Sequence, residues 1–500
     1  DALKGGDMDT SNRQLQGNIA IGSYALDSMG GYGTTGSIAI GYEALSGISY
    51  GAENLAIGYQ AGKALLAEGG CTYIGYKAGL TFTGARNLAI GHGAMDGAAA
   101  DDAPTSTDNV FIGHTAGGGT WDNTGDDTDD SNFNVGIGNN VMDAAMDGAV
   151  NNTALGYAAL GALTTGDNNV AIGYQAGLAM TTAQTNILIG ANVADELVSG
   201  EGNVAIGHSA FNSADAAESG VVAIGYRALA SLDGVNDTIA IGYDAGVSLT
   251  TGAGNTVIGH LAMDAATTEI NNTVLGYNAA GAIRHNDADN NVIIGYNAGR
   301  GGTAATTDCI IIGSNAGESG NVGGADNVFI GKSAGAGTWD TGSMEQNVAI
   351  GTLAMGTGTK NSADYNVAIG YKALEDITSA DSNVAIGYQA GVDITTGGYN
   401  TLVGKDSGVA LTDGTNNTFI GVNAGDGTTS VVQATAVGQG SLSGALTTGA
   451  NGAIGIGYEA GKALTTGAGN MAIGTLAMTT HTTGARNIAI GYGAMDDTDA

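Results

Sequence analysis

Proline, cysteine, aromatic and basic residues are all scarce in this chain of 500 residues. It has 1 Pro, 2 Cys and 14 Lys and Arg, and aromatic residues make up 5% of it. Collagen would need far more proline, so the 89 glycines serve another architecture. The 48 acidic residues give a net charge of −34, which excludes the basic surface that nucleic-acid binding requires. No apolar run approaches the ~18 residues of a membrane-spanning helix, so we expect no membrane insertion.

One short repeat fills the chain, and its fullest form reads N-V-A-I-G-Y-Q-A-G-x-x-L-T-T-G. We call the first glycine of this repeat the anchor glycine. It recurs 27 times, and 14 of the 26 spacings between anchor glycines are 17 residues. Asn stands four residues before the anchor glycine in 20 copies, and Ala three residues after it in 23. Because 43% of the residues are hydrophobic, the stacked repeats must share a core. The chain therefore divides into a lead-in, residues 1–17, and a continuous array, residues 18–500.

The repeat predicts an all-β fold, a parallel β-solenoid of about 27 coils of ~17 residues. Val and Ile lie two apart in N-V-A-I-G, so they share one face of a strand, which we expect to be the core. The T-T-G segments, such as residues 164–166, predict the end of a second short strand and its turn in each coil. We expect the anchor glycine to take a positive φ and the asparagines to form a hydrogen-bonded ladder.

Three copies show the predicted structural positions most clearly. On this interpretation, replacing Ile206 by Asp would bury an unpaired charge and destabilise the coil by several kcal/mol. The Asn, Ile, Gly and Ala positions of these copies are Asn169, Ile172, Gly173 and Ala176, then Asn203, Ile206, Gly207 and Ala210, then Asn383, Ile386, Gly387 and Ala390.

These motifs resemble the head repeats of trimeric autotransporter adhesins, which share an Asn-x-x-Ile-Gly coil. They are still more similar to the repeat arrays of phage tail-fibre proteins, which carry N-T-A-x-G-Y-x-A-L-x-x-N-T-T-G runs at the same period. The resemblance implies a homotrimer of left-handed β-rolls or related β-prisms, outside the cell or on the virion surface. Because nothing after Gly491 has the features of a cap, we expect the array to continue beyond Ala500.

Few side chains suggest chemistry. Four histidines follow an anchor glycine, where 13 copies carry Tyr, and we interpret them as packing residues rather than metal ligands. Cys71 and Cys309 occupy the Asn position of distant coils, so we expect both to be free and buried. The four histidines are His92, His114, His208 and His260.

An acidic loop, residues 122–130, offers a weak Ca²⁺ candidate, and we expect no other cofactor. Its clustered carboxylates have the right chemistry, but their spacing matches no known calcium loop, so a solvated loop is the preferred interpretation. Trp121 and Trp339 share the setting G-T-W-D and are interpreted as loop aromatics folded back onto the solenoid, with glycan stacking as the alternative. The candidate ligands are Asp126, Asp127, Asp129 and Asp130.

We interpret the chain as structural and not enzymatic, namely the shaft of a trimeric phage tail fibre that projects a receptor-binding tip for host attachment. Its partners would be further copies of itself, other virion or fibre proteins and, through a tip outside this chain, a host glycan or receptor. The alternative is a cell-surface adhesin or extracellular filament of the trimeric autotransporter type. Ice-binding and polysaccharide-degrading solenoids are disfavoured, because coil lengths are irregular and basic residues are scattered.

Overall fold

The computed structural model describes residues 17–28, 34–97, 105–121, 130–212, 217–283, 288–301, 306–318, 324–339 and 344–496. Contacts divide the chain into two compact units, Asp1–Thr251 and Gly252–Ala500. Residues 1–16 of the lead-in and three of the Ca²⁺ candidates, Asp126, Asp127 and Asp129, lie outside the described residues. Within the described ranges, no helix has the length and apolar character needed to cross a membrane.

The first unit is a parallel β-solenoid, as predicted. Each strand ends on the residue before an anchor glycine and pairs in parallel with the strand of the next coil; for example, Val170 aligns with Ile187 and Ile172 with Ile189. The strands in the described part of this unit are β1 (Ile19–Ile21), β2 (Ile38–Ile40), β3 (Leu55–Ile57), β4 (Thr72–Ile74), β5 (Leu88–Ile90), β6 (Val110–Ile112), β7 (Val135–Ile137), β8 (Thr153–Leu155), β9 (Val170–Ile172), β10 (Ile187–Ile189), β11 (Val204–Ile206), β12 (Val222–Ile224) and β13 (Ile239–Ile241).

The second unit repeats this arrangement and adds four strands of two residues elsewhere in the coil. Its described strands are β14 (Thr256–Ile258), β15 (Thr273–Leu275), β16 (Val292–Ile294), β17 (Thr306–Thr307), β18 (Ile310–Ile312), β19 (Gly324–Ala325), β20 (Val328–Ile330), β21 (Thr338–Trp339), β22 (Val348–Ile350), β23 (Thr359–Lys360), β24 (Val367–Ile369), β25 (Val384–Ile386), β26 (Thr401–Val403), β27 (Thr418–Ile420), β28 (Thr435–Val437), β29 (Ile454–Ile456), β30 (Met471–Ile473) and β31 (Ile488–Ile490). A 3₁₀ turn spans Thr448–Ala450. The short strands pair β17 with β19 and β21 with β23.

The T-T-G segments form turns, as predicted, but the second strand that they are expected to end is absent from the described coils that carry them. Residues 164–165 and 395–396 are bends, and the 3₁₀ turn begins inside the T-T-G of residues 447–449. The reason is visible at Thr181, whose carbonyl accepts the N–H groups of Thr164, Thr165 and Gly166 at 3.0, 3.1 and 3.2 Å. Three donors that converge on one acceptor make a turn, whereas a strand would spread them over a ladder.

The two faces of the strand are the reverse of the prediction. Ala171 and Ala205, the middle residues of β9 and β11, are fully buried, whereas Ile172 and Ile206 on the opposite face are only half-buried. The interior of a 17-residue coil is narrow, so the small central residue faces it and the larger neighbours face outwards. The prediction that Ile206 lies in the core, and that Asp there would be buried, is therefore wrong.

The phenylalanines at the central strand position pack against a glycine of the facing turn. Phe111 is fully buried at the middle of β6, and it packs directly against the Cα of Gly117, four residues after the anchor glycine. Phe329 and Gly335 repeat this pairing in the second unit. The core thus keeps a constant width by exchanging volume between the strand and the facing turn.

Candidate interface on the outer face of the solenoid

The corner after each strand depends on the anchor glycine, as predicted. Gly173 has φ 146°, a conformation that a side chain rarely adopts, and a Cβ there would collide with the carbonyl of Gly190 in the next coil. Gly207 and Gly387 behave in the same way, with φ 141° and 142°. The chain changes direction at the anchor glycine. The side chain of the residue after it still points to the outer face of the strand.

The predicted asparagine ladder is confirmed in both units. In the first unit, the Asn169 backbone N–H and Nδ2 both donate to Oδ1 of Asn152, at 2.9 and 3.0 Å. Its Nδ2 also donates to the carbonyl of Ala183, and its Oδ1 accepts the N–H of Asn186 at 3.0 Å. Every polar atom of the buried amide is thereby paired, which makes the ladder stabilising inside an apolar core.

The remaining predicted structural positions keep these roles. The asparagines extend the ladder, the alanines are fully buried, and the isoleucines face outwards. They are Asn203 and Asn383, then Ala176, Ala210 and Ala390, then Ile172, Ile206 and Ile386, of which Ile386 is 38% exposed.

Three positions of each coil form a band that we call the outer stripe, and most of them hold aliphatic residues or Tyr. They stand three before, one before and one after the anchor glycine; in the coil of Gly173 they are Val170, Ile172 and Tyr174, of which Tyr174 is 51% exposed. Across the 27 coils no stripe position holds an acidic residue, and only Lys332 and Lys405 bring a positive charge. A chain with net charge −34 therefore keeps one exposed face almost free of charge.

Aromatic rings stack along one edge of the outer stripe. Tyr42, Tyr59 and Tyr76 follow one another with ring centroids 5.3 Å apart, and His92 and His114 continue the column at 4.8 and 5.1 Å. In their coils His208 and His260 stack on Tyr226 and Tyr277 at 5.5 and 5.0 Å. Each of the four histidines therefore stacks on a neighbouring ring, in the position that Tyr usually holds.

Charged residues lie beside the stripe and pair between neighbouring coils. The Arg227 guanidinium contacts the Asp244 carboxylate at 2.5 Å, and Arg86 contacts Asp108 at 2.6 Å. The Arg86 side chain lowers the pKa of Asp108 by hydrogen bonding. These exposed pairs contribute little to stability, but they keep charge off the stripe itself.

The sequence interpretation missed a second ladder on the turns. Asp167, two residues before Asn169, accepts the N–H of Val150 from the preceding coil at 2.7 Å, and Asp289 and Asp364 accept N–H groups in the same way at 2.8 Å. The available signal was the recurrence of Asp or Asn two residues before the ladder asparagine. This column explains part of the acidic composition, because its carboxylates cap backbone donors.

Two ionisable side chains are buried in the turns of the second unit. Lys360 is fully buried, and its Nζ donates to the carbonyls of Ala336 and Thr357 at 2.8 and 2.5 Å. Burial lowers the pKa of this amine to about 7. Glu269 is also fully buried and accepts the N–H of Thr268 at 2.8 Å, and burial raises its pKa.

The other candidates have structural settings. Trp121 is buried, donates from Nε1 to the Gly117 carbonyl at 2.9 Å and packs edge-on against Phe82, so its interpretation as folded back is confirmed. The Trp339 side chain lies outside the described atoms.

Cys71 and Cys309 are free and buried, as predicted. Asp130 accepts a 2.6 Å hydrogen bond from the Thr105 hydroxyl, and the described part of the chain holds no group of three or more His, Cys, Asp or Glu suited to a metal.

Comparison with known proteins finds no family model and no curated protein that matches this chain. The β-solenoid and its outer stripe are therefore the basis for any functional conclusion.

Proposed function

We propose that this chain is a structural fibre element whose copies pack side by side through the outer stripe. The preferred setting is the shaft of a homotrimeric phage tail fibre at the virion surface, and the alternative is an extracellular adhesin or filament. The observation that carries the proposal is the exposed, nearly charge-free apolar face on a strongly acidic chain. Such faces on soluble proteins mark interaction sites.

The size of the stripe supports a stable contact. A half-buried Val, a half-buried Ile and an exposed Tyr leave roughly 150 Å² of apolar surface in one coil. The seven coils of the first unit that carry Tyr at this position then present on the order of 1,000 Å², against ~800 Å² per partner in a standard interface.

A second copy of this chain is the partner that fits best. The stripe repeats at the ~4.8 Å spacing of parallel strands, so a partner with another period would lose its match within a few coils. Away from the stripe the copies repel each other, which confines their contact to that face. The number three comes from the resemblance to tail-fibre and autotransporter repeats.

The test is sedimentation velocity of the full chain with two charge-matched triple variants. We expect a trimer for the wild type and a folded monomer for Ile172→Asp, Ile189→Asp, Ile206→Asp, which places charge in the stripe. The control, Asn168→Asp, Thr185→Asp, Gly202→Asp, changes exposed positions just before the ladder asparagines, where other coils carry Asp, and should remain a trimer. A wild type that stays monomeric at 150 mM salt, where charge repulsion is screened, would overturn the proposal.

A further inference from the structure

We propose that His92 and His114 form a transition-metal site on the surface of the first unit, with Cu²⁺ as the ion that suits it best. The two residues are 22 positions apart, yet each follows the anchor glycine of its own coil. Strands β5 and β6 pair in register, Ile90 beside Ile112, and this places the two imidazoles face to face. Their ring centroids are 5.1 Å apart and their planes differ by 11°.

The two rings have to tilt before they can bind one ion. An imidazole nitrogen lies ~2.0–2.1 Å from a bound Zn²⁺, and similar distances hold for neighbouring metals, so two nitrogens on one ion are at most about 4 Å apart. The ring centroids are 5.1 Å apart and the planes are nearly parallel, so the rings have to lean towards each other until their nitrogen lone pairs converge. Both side chains are exposed, so a rotation about their χ angles meets no packing barrier on the solvent side.

The chemistry of the pair selects the class of metal. Neutral imidazole suits Zn²⁺, Ni²⁺ and Cu²⁺, and at a given nitrogen site affinity is greatest for Cu²⁺. Within the described residues no group of three or more His, Cys, Asp or Glu is placed to hold a metal, so the proposal rests on the two imidazoles.

The surroundings are mixed in charge. Burial raises the pKa of Asp96, and the nearby Lys77, His92 and His114 act on it in the opposite direction. The Asp96 carboxylate therefore lies close enough to both imidazoles to favour a bound cation, and Lys77, whose Nζ lies 5.5 Å from the ring centroid of Tyr76, opposes it.

The chain supplies its own matched controls. His208 and His260 occupy the same position in their coils, but each stacks on a tyrosine, Tyr226 or Tyr277. Tyr is also the usual residue after the anchor glycine, so a His→Tyr change at any of the four positions retains the ring column.

The experiment is a calorimetric titration of the full chain with Cu²⁺ alone at pH 7.5, followed by electron paramagnetic resonance of the one-to-one complex. We expect one strong site with two coupled imidazole nitrogens. His92→Tyr and His114→Tyr should each weaken binding about tenfold or more, because each removes one of two ligands. His208→Tyr and His260→Tyr should leave the affinity unchanged.

Two results would overturn the proposal: a His92→Tyr variant with wild-type affinity, or an equal loss from His208→Tyr. The site lies within one chain, so it does not depend on the proposed assembly. Sedimentation of the same samples separates the two ideas, because copper binding is expected from a monomer as well as from a trimer.

Discussion

The two sides of each coil differ in how much their length varies and in how their hydrogen bonds are made. The strand side, from the ladder asparagine to the fourth residue after the anchor glycine, has one length and one bonding pattern throughout, for example Gly173 N–H to the Leu155 carbonyl and Gly190 N–H to the Ile172 carbonyl. The turn side comprises the remaining residues and absorbs all variation in spacing, from 16 residues between Gly75 and Gly91 to 25 between Gly113 and Gly138. On the strand side backbone groups bond to other backbone groups and to the ladder asparagine, whereas on the turn side Asp carboxylates also accept backbone N–H groups. We therefore expect substitutions on the strand side to cost more.

The largest difference should appear between two glycines. Gly173→Ala places a Cβ against the Gly190 carbonyl at a strained φ, and we expect a loss of more than about 4 kcal/mol. Gly202, at the end of the turn side, has φ 69° and open space around its Cα, so Gly202→Asn should be nearly neutral. Thermal unfolding with limited proteolysis measures both, and equal losses would remove the distinction between the two sides.

The next largest difference in stability should appear between substitutions on the two faces of one strand. Ala205→Asp buries an unpaired charge in the narrow core and should cost about 3 kcal/mol or more. Ile206→Asp changes the outer stripe, so in a monomeric background it should cost less than about 1 kcal/mol. Denaturant unfolding of both variants provides the comparison; a greater loss at Ile206 would restore the facing that the sequence suggested.

A buried charge on the turn side gives a pH-dependent effect. The pKa of Lys360 is lowered to about 7, below its value in the unfolded chain, so the unfolded state binds more protons above pH 7. The free energy of unfolding should therefore rise between pH 7 and 10. Measured between pH 6 and 9, the rise should be roughly 2 kcal/mol. Lys360→Met should lack this rise, and the difference between the melting curves of the two proteins at both pH values isolates it.

The smallest effects compare the asparagine ladder with a threonine hydroxyl on the turn side. Asn169→Ser keeps one acceptor, as Ser37 does for the N–H of Asn54 at 3.3 Å, and should cost about 1 kcal/mol. Thr164→Val removes the hydroxyl that donates to the Thr181 carbonyl at 3.1 Å and should cost about 0.5 kcal/mol. Hydrogen exchange of the amides of the next coil gives the local free energies, and a reversed order would contradict the ranking.

The strand side was predictable because its period repeats almost without change. The positions of the strands, the positive φ of Gly173 and the ladder through Asn169 all follow from it. The facing of the strand was not predictable from alternation, because Val170, Ala171 and Ile172 are all apolar and the pattern contains no polar residue to mark the outside. Only the narrow interior decides that the small residue points inwards.

The turn side was harder to predict because its bonding uses side chains at loosely repeated positions. Asp167 accepts a single N–H from the preceding coil, and Lys360 donates to one carbonyl of the preceding coil and one of its own. No local sequence pattern identifies these partners. The contact between His92 and His114 was hidden for a related reason. Their 22-residue separation becomes a neighbour contact only because strands β5 and β6 pair in register.

The direction of the hydrogen bonds between coils determines how a unit would respond to tension. These bonds point along the stack, so pulling on the two ends of one unit would load them a few at a time, in a peeling geometry, and not many at once in shear. Each released coil frees ~17 residues, or about 55 Å of extended chain. A stretched unit would therefore lengthen in steps and dissipate mechanical work coil by coil, while the coils still folded keep their stacking intact.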